Sequence, residues 1–492
     1  MLFNSYIFLL AFLPLCLLGY FMLNRLGQKR LSLVFLLGMS LWFYGYNMPK
    51  YLLLILCSVV VNFAFYRLSR RMEEGKWRKA AMVLAVGLNL AVLFYFKYYD
   101  FFAETVNGIF AADWVLKNIM LPLGISFFTF QQISFVVDAF RGEVPDYDFI
   151  SYACFVTFFP QLIAGPIVTH DELVPQLMSD DNKRFDWENM SRGMYIFAMG
   201  LAKKVLLADN LGRAVAMGYG IIGAGNWAMM DSGSCMIVML SYTLQMYFDF
   251  SGYSDMAIGI GKMFNIDIPQ NFNSPYKALT IVDHWKRWHL TLTRFLTKYV
   301  YFPLGGSRKG EGRTYLNIMA VYLISGLWHG AGWTYILWGG LHGAFNVLTR
   351  WGKKVFDRLP KCVNWLITFA FLNLGFIIFR AESLEQAFAI IARIFEFDYA
   401  GLNTAIASCF QLAEVQLVLS VLPGIGMLVH WPPFMMILFL LTAMLIVLIP
   451  RNAYEKMQDM KPGLGTMLFT VLLMVWCIFS FGSVSTFLYF NF

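Results

Sequence analysis

Long apolar runs separated by short basic loops recur along the whole chain. They include residues 3–23, 31–46, 51–65 and 80–96, and residues 434–449 and 467–481 towards the other end. A run of about 17–25 apolar residues fits an α-helix that crosses a hydrocarbon layer of about 30 Å. Only helices and closed barrels satisfy their backbone hydrogen bonds in lipid, and the alternating segments of a barrel are not seen. The pattern predicts an all-α, polytopic integral membrane protein.

Composition and charge agree with this class. The chain is 59% hydrophobic and 14% charged, whereas an average soluble domain has about 25% charged residues. The net charge of +8 comes from basic residues in short loops such as 67–79 and 305–313. This distribution is typical of cytoplasmic loops rather than of nucleic-acid binding, and it predicts that both termini lie outside. The seven cysteines are scattered and show no C-x-x-C spacing, so we interpret them as apolar side chains.

The middle of the chain has shorter and more polar runs. Residues 121–140 are apolar but include two glutamines and an aspartate, and residues 158–167 (FFPQLIAGPI) contain two prolines. Such elements are tolerated at membrane depth where they are buried in protein or line a cavity. We expect about 11–13 membrane-embedded helices, some of them broken or re-entrant, around a central tunnel. Residues 383–397 predict an interfacial amphipathic helix, and residues 412–428 a weaker apolar region.

Two of the six histidines lie in residues 325–343, SGLWHGAGWTYILWGGLHG. We predict a hairpin of two helices, residues 315–328 and 333–348, around His329. A helix of that length rises about 21 Å, which is less than the hydrocarbon thickness of about 30 Å. The hairpin should therefore re-enter without crossing, and His329 should lie inside the membrane.

The two histidines of this stretch allow different interpretations. A buried His329 could take a proton from a hydroxyl or thiol and return it, or could simply hydrogen-bond a helix carbonyl. His342 lies among glycines that permit close helix packing, so either packing or a direct role is open.

Residues 281–302 predict an aromatic, basic helix that carries His284 and His289. Five residues turn a helix by about 140°, so these two do not make a same-face metal pair, and no metal site is predicted.

Two acidic residues follow the apolar run 229–250 closely. Asp255 is interpreted as lying near the start of a new helix, capped by Ser251 or Ser254. Asp249 has no such explanation and should have a basic partner.

Several longer segments occur in a fixed order. They are LPLGISFFTFQQISF from Leu121, FFPQLIAGPI from Phe158, YFDFSGYSDMAIG from Tyr247, NFNSPY from Asn271, DHWKRWHLTLTRFLTKYVYFPLGG from Asp283 and LWHGAGWTYILWGGLHG from Leu327. Together they resemble the signature segments of the membrane-bound O-acyltransferase family. More narrowly, they are similar to its bacterial branch of alginate and peptidoglycan O-acetylases. The close similarity covers residues 121–350.

The resemblance implies roles for individual residues. His329 matches the family's catalytic histidine, and His289 matches a second histidine that would orient the substrate or the acyl carbonyl. Arg287, Arg294 and Lys298 are candidates for binding the phosphates of acetyl-CoA. No glycine-rich phosphate loop supports these three. No permanently bound cofactor and no metal are expected.

The resemblance also implies a function. Acetyl groups from cytoplasmic acetyl-CoA would cross the bacterial cytoplasmic membrane for O-acetylation of an extracytoplasmic polysaccharide such as alginate or peptidoglycan, with an SGNH-type acetyltransferase as partner. The chain would be a single domain, 1–492, with N-terminal helices in 1–100, a catalytic core in 101–361 and C-terminal helices in 362–492. D-alanyl transfer from a carrier protein to teichoic acid and non-enzymatic transport are the alternatives. Whether His329 acts as a general base or a transient acyl carrier is left open.

Overall fold

α-Helices dominate the computed structural model, which describes residues 1–399, 401–421, 426–481 and 487–488 and has no strand among them. The all-α prediction is therefore confirmed. The first part of the chain forms the helices Leu13–Arg25, Lys29–Gly45, Leu52–Ser69, Lys76–Leu93 and Tyr99–Phe110. The middle forms the helices Ile125–Phe140, Phe149–Thr157, Phe159–Leu162, His170–Met178, Trp187–Ala202, Asp209–Gly223, Ser232–Met263, Ile281–Trp285, Leu290–Leu296, Glu311–His329, Trp333–Trp351 and Lys353–Phe356.

The last part of the chain is also helical. Its helices are Lys361–Arg380, Leu384–Ile394, Thr404–Ser408, Ala413–Ser420, Pro432–Leu448, Ala453–Gln458 and Leu464–Phe479. The predicted amphipathic segment 383–397 contains the helix Leu384–Ile394, which Ser383 caps by accepting from the backbone N–H of Gln386. Of the weaker apolar region 412–428, residues 422–425 lie outside the described residues.

Among the described residues, five helices are long and apolar enough to cross a membrane: Phe8–Arg25, Pro49–Ser69, Lys76–Phe110, Trp187–Gly223 and Lys361–Arg380. Three shorter apolar helices are Ile125–Phe140, Pro432–Leu448 and Leu464–Phe479. The figure of 11–13 membrane-embedded helices also includes short and broken elements, and it stays a prediction. The break expected in residues 158–167 is present, because one helix ends at Thr157 and a single turn, Phe159–Leu162, follows.

The longest single α-helix, Ser232–Met263, corrects one prediction. The sequence was interpreted as a span that ends near residue 250, with Asp255 at the start of a second helix. Instead, the 32-residue helix continues through this region. Asp255 needs no capping position because Lys203 on the neighbouring helix neutralises it at 2.6 Å. The helices approach closely here, since a Cβ on Gly252 would lie 2.8 Å from the carbonyl oxygen of Gly200.

Lysines mark three of the four π-helical turns in the described residues. Phe94–Tyr98 carries Lys97, Lys203–Ala208 carries Lys203 and Lys204, and Thr297–Tyr301 carries Lys298. A π turn adds one residue to a helical turn and so re-aims the side chains around it. In this chain the turns direct lysines towards polar groups within the protein, and one of these lysines reaches the candidate site.

Candidate active site

His329 is the last residue of the helix Glu311–His329, and its side chain is buried, with 3% of the residue exposed. The helix has 19 residues, or about 28 Å. The predicted helix, 315–328, was shorter than the observed one, but about 28 Å is still less than the hydrocarbon thickness of about 30 Å. The inference that the hairpin re-enters without crossing stays a prediction, and His329 is buried as expected. The return helix Trp333–Trp351 packs directly against the first. A Cβ on Gly326 would overlap the carbonyl oxygen of Tyr335, and one on Gly339 that of Tyr322.

Aromatic rings surround the His329 imidazole. The ring centroids of Trp328, Trp338 and Phe379 lie 4.9, 5.1 and 5.4 Å from that of the histidine. All three contacts are edge-on, at interplanar angles of 72°, 88° and 73°. These walls exclude bulk water from the imidazole, and hydrogen bonds and charges act more strongly in such a surrounding.

Lys97 reaches the end of the His329 helix from the N-terminal part of the chain. Its Nζ donates to the carbonyl oxygens of Trp328 at 2.6 Å and His329 at 3.2 Å, and it lies 3.3 Å from the hydroxyl of Ser126. The neighbouring Tyr98 hydroxyl donates to the carbonyl of Leu327 at 2.8 Å. The last carbonyls of a helix have no partner within it and carry the negative end of its dipole. A cation at this position completes the hydrogen bonding of the backbone that carries His329.

A small cavity of about 20 Å³ adjoins this end of the helix. It is lined by His329, Trp328, Lys97, Ile163 and residues 121–127. The structure thus brings together three of the sequence segments singled out above: those that begin at Leu121, Phe158 and Leu327. Ser126, Lys97 and His329 supply polar groups to this lining.

His289 is fully buried, but it does not lie within a helix as predicted. The segment 281–302 breaks into Ile281–Trp285, Leu290–Leu296 and the π turn Thr297–Tyr301. His289 stands between the first two with φ +46°, in the left-handed region. A residue other than glycine is uncommon there, and such positions require support from their surroundings. The break separates His284 from His289, so the helical angle assumed between them does not apply.

Asn271 holds the His289 ring. Its Oδ1 lies 3.2 Å from His289 Nδ1 and also accepts from the backbone N–H and hydroxyl of Thr291, at 3.2 and 2.9 Å. The backbone N–H can only donate, so this atom of Asn271 is the acceptor oxygen. His289 Nδ1 therefore carries the proton, and in the neutral ring Nε2 has the lone pair.

The two histidines that the sequence selected share a neighbour. Trp328 packs against His329 at 4.9 Å and against His289 at 5.9 Å between ring centroids. Phe250, from the segment YFDFSGYSDMAIG, packs edge-on against His289 at 4.8 Å. His289 and His329 thus belong to one aromatic cluster, at the junction of four of the sequence segments.

His342 lies on the return helix, one turn after Trp338, and is also buried. The indole N–H of Trp285 donates to His342 Nδ1 at 3.2 Å. An indole N–H cannot accept, so the neutral His342 carries its proton on Nε2. The Trp338 ring contacts both histidines of the hairpin, at 5.1 Å from His329 and 4.5 Å from His342 between centroids.

The three basic residues proposed for phosphate binding each have an acidic partner. Arg287 pairs with Asp283 at 3.0 Å, Arg294 pairs with Glu172, and Lys298 pairs with the buried Asp138 at 3.0 Å. Arg294 and Lys298 also line a shared cavity of about 140 Å³, together with the carboxylates Asp171 and Glu172 and the hydroxyl-bearing residues Thr169, Thr291 and Tyr299. Arg287 does not line it. Phosphate binding by these residues stays a prediction, since the two cations of the shared cavity are balanced there by two carboxylates.

Asp249 has the basic partner that the sequence predicted. Its Oδ1 lies 2.7 Å from Nζ of Lys204, and both side chains are 2% exposed. Lys204 also pairs with Asp209 at 2.8 Å, and the second Asp249 oxygen accepts from the backbone N–H of Leu488. These contacts describe a structural ion pair in the core. Within the described residues no group of three or more metal-ligating side chains could hold an ion.

Sequence reasoning missed three residues of this site: Lys97, Asn271 and Trp338. Lys97 directly follows the apolar run 80–96, and no role was predicted for it. Its signal was a single lysine among aromatic residues, YFKYYD from Tyr95, with no basic cluster around it. Asn271 belongs to a segment noted for its turn residues, and nothing local connects it with His289.

Comparison with known proteins agrees with this geometry. Residues 139–385, half of the chain, match the membrane-bound O-acyltransferase family. A peptidoglycan O-acetyltransferase of Helicobacter pylori is 37% identical to the chain, over 100% of the chain and 98% of the relative. A probable alginate O-acetylase of Pseudomonas aeruginosa is 36% identical, over 87% of the chain and 82% of the relative.

A teichoic acid D-alanyltransferase of Bacillus subtilis is similar at a greater distance. It is 27% identical, over 55% of the chain and 71% of the relative. The O-acetylating relatives therefore match more of the chain, and at higher identity.

Proposed function

Because the chain belongs to the membrane-bound O-acyltransferase family, we propose that this enzyme takes acetyl groups from cytoplasmic acetyl-CoA for O-acetylation of an extracytoplasmic polysaccharide. The observation that carries the proposal is the position of His329. It is buried at the end of a helix whose last carbonyl oxygens accept hydrogen bonds from Lys97, and it adjoins a cavity lined by Ser126. Family membership makes the chain an acyltransferase, in place of the transport alternative. Peptidoglycan and alginate are the acceptor classes that the O-acetylating relatives suggest.

The proposed chemistry assigns His329 the role of general base. Its imidazole takes the proton of the attacking hydroxyl as the oxygen bonds to the acetyl carbon. The carbon–sulfur bond of the thioester breaks, and the same proton passes to the leaving thiolate. The products are the acetyl ester and free coenzyme A, so the histidine ends each cycle as it began. If His329 carries the acetyl group instead, attack comes from the imidazole and a second step releases the ester.

His289 is proposed to orient the acyl group or the hydroxyl. Asn271 fixes its tautomer, so Nε2 can accept a hydrogen bond from a hydroxyl. An aligned hydroxyl loses less freedom on reaching the transition state, which is how positioning lowers a barrier. Arg294 and Lys298 would contact the phosphates of acetyl-CoA at their shared cavity, and Arg287 is retained as a weaker candidate.

The proposed organisation is one domain, 1–492. The division into 1–100, 101–361 and 362–492 describes the helix groups and not separate folding units, because Lys97 and Phe379 both reach the histidine at the end of the central hairpin. We place the enzyme in the bacterial cytoplasmic membrane with both termini outside. The partner would be an SGNH-type acetyltransferase on that outer side.

The decisive experiment compares His329→Ala with His430→Ala in purified enzyme. His430 is an exposed histidine on a short turn, so it controls for the loss of an imidazole. We expect His329→Ala to lower acetyl-CoA-dependent thiol release by about 10²–10⁴-fold, the contribution of general acid–base catalysis, and His430→Ala to leave it unchanged. Equal activity of the two variants overturns the role of His329. A second outcome favours D-alanyl transfer instead. In that outcome the wild-type enzyme releases no coenzyme A, and a phosphopantetheinyl carrier protein copurifies with it.

A further inference from the structure

A large apolar groove lies outside the candidate active site, along the helix Leu13–Arg25. Its volume is about 1190 Å³, and its other wall comes from the helices Trp187–Ala202 and Leu464–Phe479. None of the histidines lines it. The proposed reaction therefore does not account for this groove.

Contacts between the walls hold the groove at both ends. At one end the Tyr6 hydroxyl donates to the carbonyl of Ile478 at 3.1 Å, and its ring packs on Phe481. At the other end Phe21 packs edge-on against Phe185, with ring centroids 5.2 Å apart. Helix residues 9–25 rise about 24 Å along the groove. One leaflet of the hydrocarbon core is about 15 Å deep, so the groove is long enough for the acyl chains of a lipid.

The surface of the groove is apolar at its floor and at its rim. Leu13, Phe197 and Met263 are buried at 7%, 1% and 4% exposure and form the floor. Leu18 and Met22 on the rim are 70% and 64% exposed. Exposed apolar side chains along a membrane helix are contacts for acyl chains.

Four cations and one carboxylate lie at the Phe21 end: Arg25, Lys29, Lys183, Arg184 and Asp180. Asp180 pairs with Lys29 at 2.6 Å and with Lys183 at 3.4 Å, and these hydrogen bonds lower the pKa of its carboxyl. In the part of the chain that the structure describes, neither Arg25 nor Arg184 has an ion-pair partner. The cluster has a net charge of three positive, which complements a phosphate.

An aromatic residue shows where this end lies relative to the membrane. Trp187 is 77% exposed and packs on Phe185, at 4.7 Å between ring centroids. Exposed tryptophans concentrate at the level of the lipid headgroups. Lys183 and Arg184 of the basic cluster lie four and three residues before Trp187 in the chain, so the cluster stands at the height where a lipid phosphate lies.

We propose that this groove binds an anionic phospholipid, with acyl chains along Leu13–Arg25 and the headgroup phosphate on Arg25, Lys183 and Arg184. The cations select the anionic headgroup, since basic residues near a membrane surface are attracted to anionic lipids. This lipid would hold the first helix against the helices of the opposite wall. The inference depends on no assumption about the reaction.

The test measures lipids retained by the full-length enzyme from nanodiscs that contain equal phosphatidylglycerol and phosphatidylcholine, by native mass spectrometry. We expect phosphatidylglycerol to be retained at least about fivefold over phosphatidylcholine. The triple variant Arg25→Gln, Lys183→Gln, Arg184→Gln should abolish that preference. Its control is Arg71→Gln, Lys76→Gln, Lys79→Gln, which removes the same charge from exposed residues of another basic loop and should leave the preference intact.

A second variant keeps the proposal testable if the triple variant fails to fold. Met194 lines the groove and is 44% exposed, so Met194→Trp fills space there without burying a larger side chain in the core. We expect this variant to lower total lipid retention while the remaining lipid stays anionic. Equal retention of the two lipids by the wild type overturns the proposal. So does an equal loss of preference in both charge variants, or a copurifying helical protein in place of lipid.

Discussion

The ammonium group of Lys97 lies 2.6 Å from the carbonyl oxygen of Trp328, the residue before the candidate catalytic histidine. The contact joins the first helices of the chain to the central hairpin. It also places a positive charge on backbone atoms and not on a carboxylate, because no acidic partner of Lys97 occurs among the described residues.

Lys97→Met should therefore damage catalysis more than folding. The methionine keeps most of the volume but leaves the carbonyls of residues 328 and 329 without their donor. Loss of a helix-terminal charge contact costs up to about 2 kcal/mol, which corresponds to roughly a thirtyfold loss of thiol release if it all appears in the barrier. The control is Lys117→Met, since Lys117 lies over the rings of Tyr95 and Tyr99. Equal activity in the two variants contradicts the role of Lys97.

Asn271→Ala should lower the turnover number with little change in KM for acetyl-CoA. The substitution removes the oxygen that fixes the His289 tautomer, and a small misplacement of a positioning group can cost about 100-fold in rate. Steady-state kinetics separates the two constants. Asn182→Ala is the control, because that amide bonds the carbonyl of Gln176 away from the histidines. A rise in KM alone shows that His289 binds substrate without orienting it.

Two glycines of the hairpin offer a matched pair for stability. Gly326→Ala introduces a Cβ that overlaps the carbonyl oxygen of Tyr335, whereas a Cβ on Gly340 meets its nearest atom, Leu323 Cδ2, at 3.7 Å. Overpacking costs about 1–3 kcal/mol or more where backbone must move. Gly326→Ala should lower the yield of monodisperse protein and its thermal midpoint, and Gly340→Ala should change neither. Similar midpoints for the two would show that the helices separate easily.

The buried pair of Lys204 and Asp249 predicts a large loss of stability when one partner is removed. Asp249→Asn removes one of the two carboxylates that pair with the buried Lys204, and breaking such a pair costs about 3 kcal/mol, the lower end of the usual range. Asp267→Asn provides the comparison, since that carboxylate is 72% exposed in its pair with Lys262. Thermal unfolding in detergent should show a much lower midpoint for the first variant only. Equal midpoints would mean that water reaches Asp249.

The sequence predicted those parts of the fold that depend on a single local feature, such as an apolar run or a proline. Long apolar runs and loop prolines identified the helices and the break after Thr157, because backbone hydrogen bonding in lipid leaves few choices. Helix ends were less certain, as in Glu311–His329, where polar residues extend the helix beyond its apolar part. The π turn that carries Lys97 leaves no periodic pattern in the sequence, and its direction depends on neighbouring helices.

The candidate site was predicted only in part, because some of its contacts join residues that are far apart in the chain. His329 and His289 came from the resemblance of whole segments, and the structure places both rings against Trp328. The left-handed backbone at His289 could not be predicted, because its support by Asn271 is 18 residues away in the chain. Lys97 lies even farther along the chain from His329, whose carbonyl oxygen it contacts.

The position of Trp338 has a consequence for energy coupling. Its indole stands between the rings of His329 and His342, and carbon and hydrogen atoms of an aromatic ring provide no path for a proton relay. In the proposed general-base reaction, a proton taken up by His329 is returned to the departing sulfur and does not pass through this ring to His342. The proposed acetyl transfer should therefore be electroneutral, and collapsing the membrane potential of sealed vesicles should leave its initial rate unchanged.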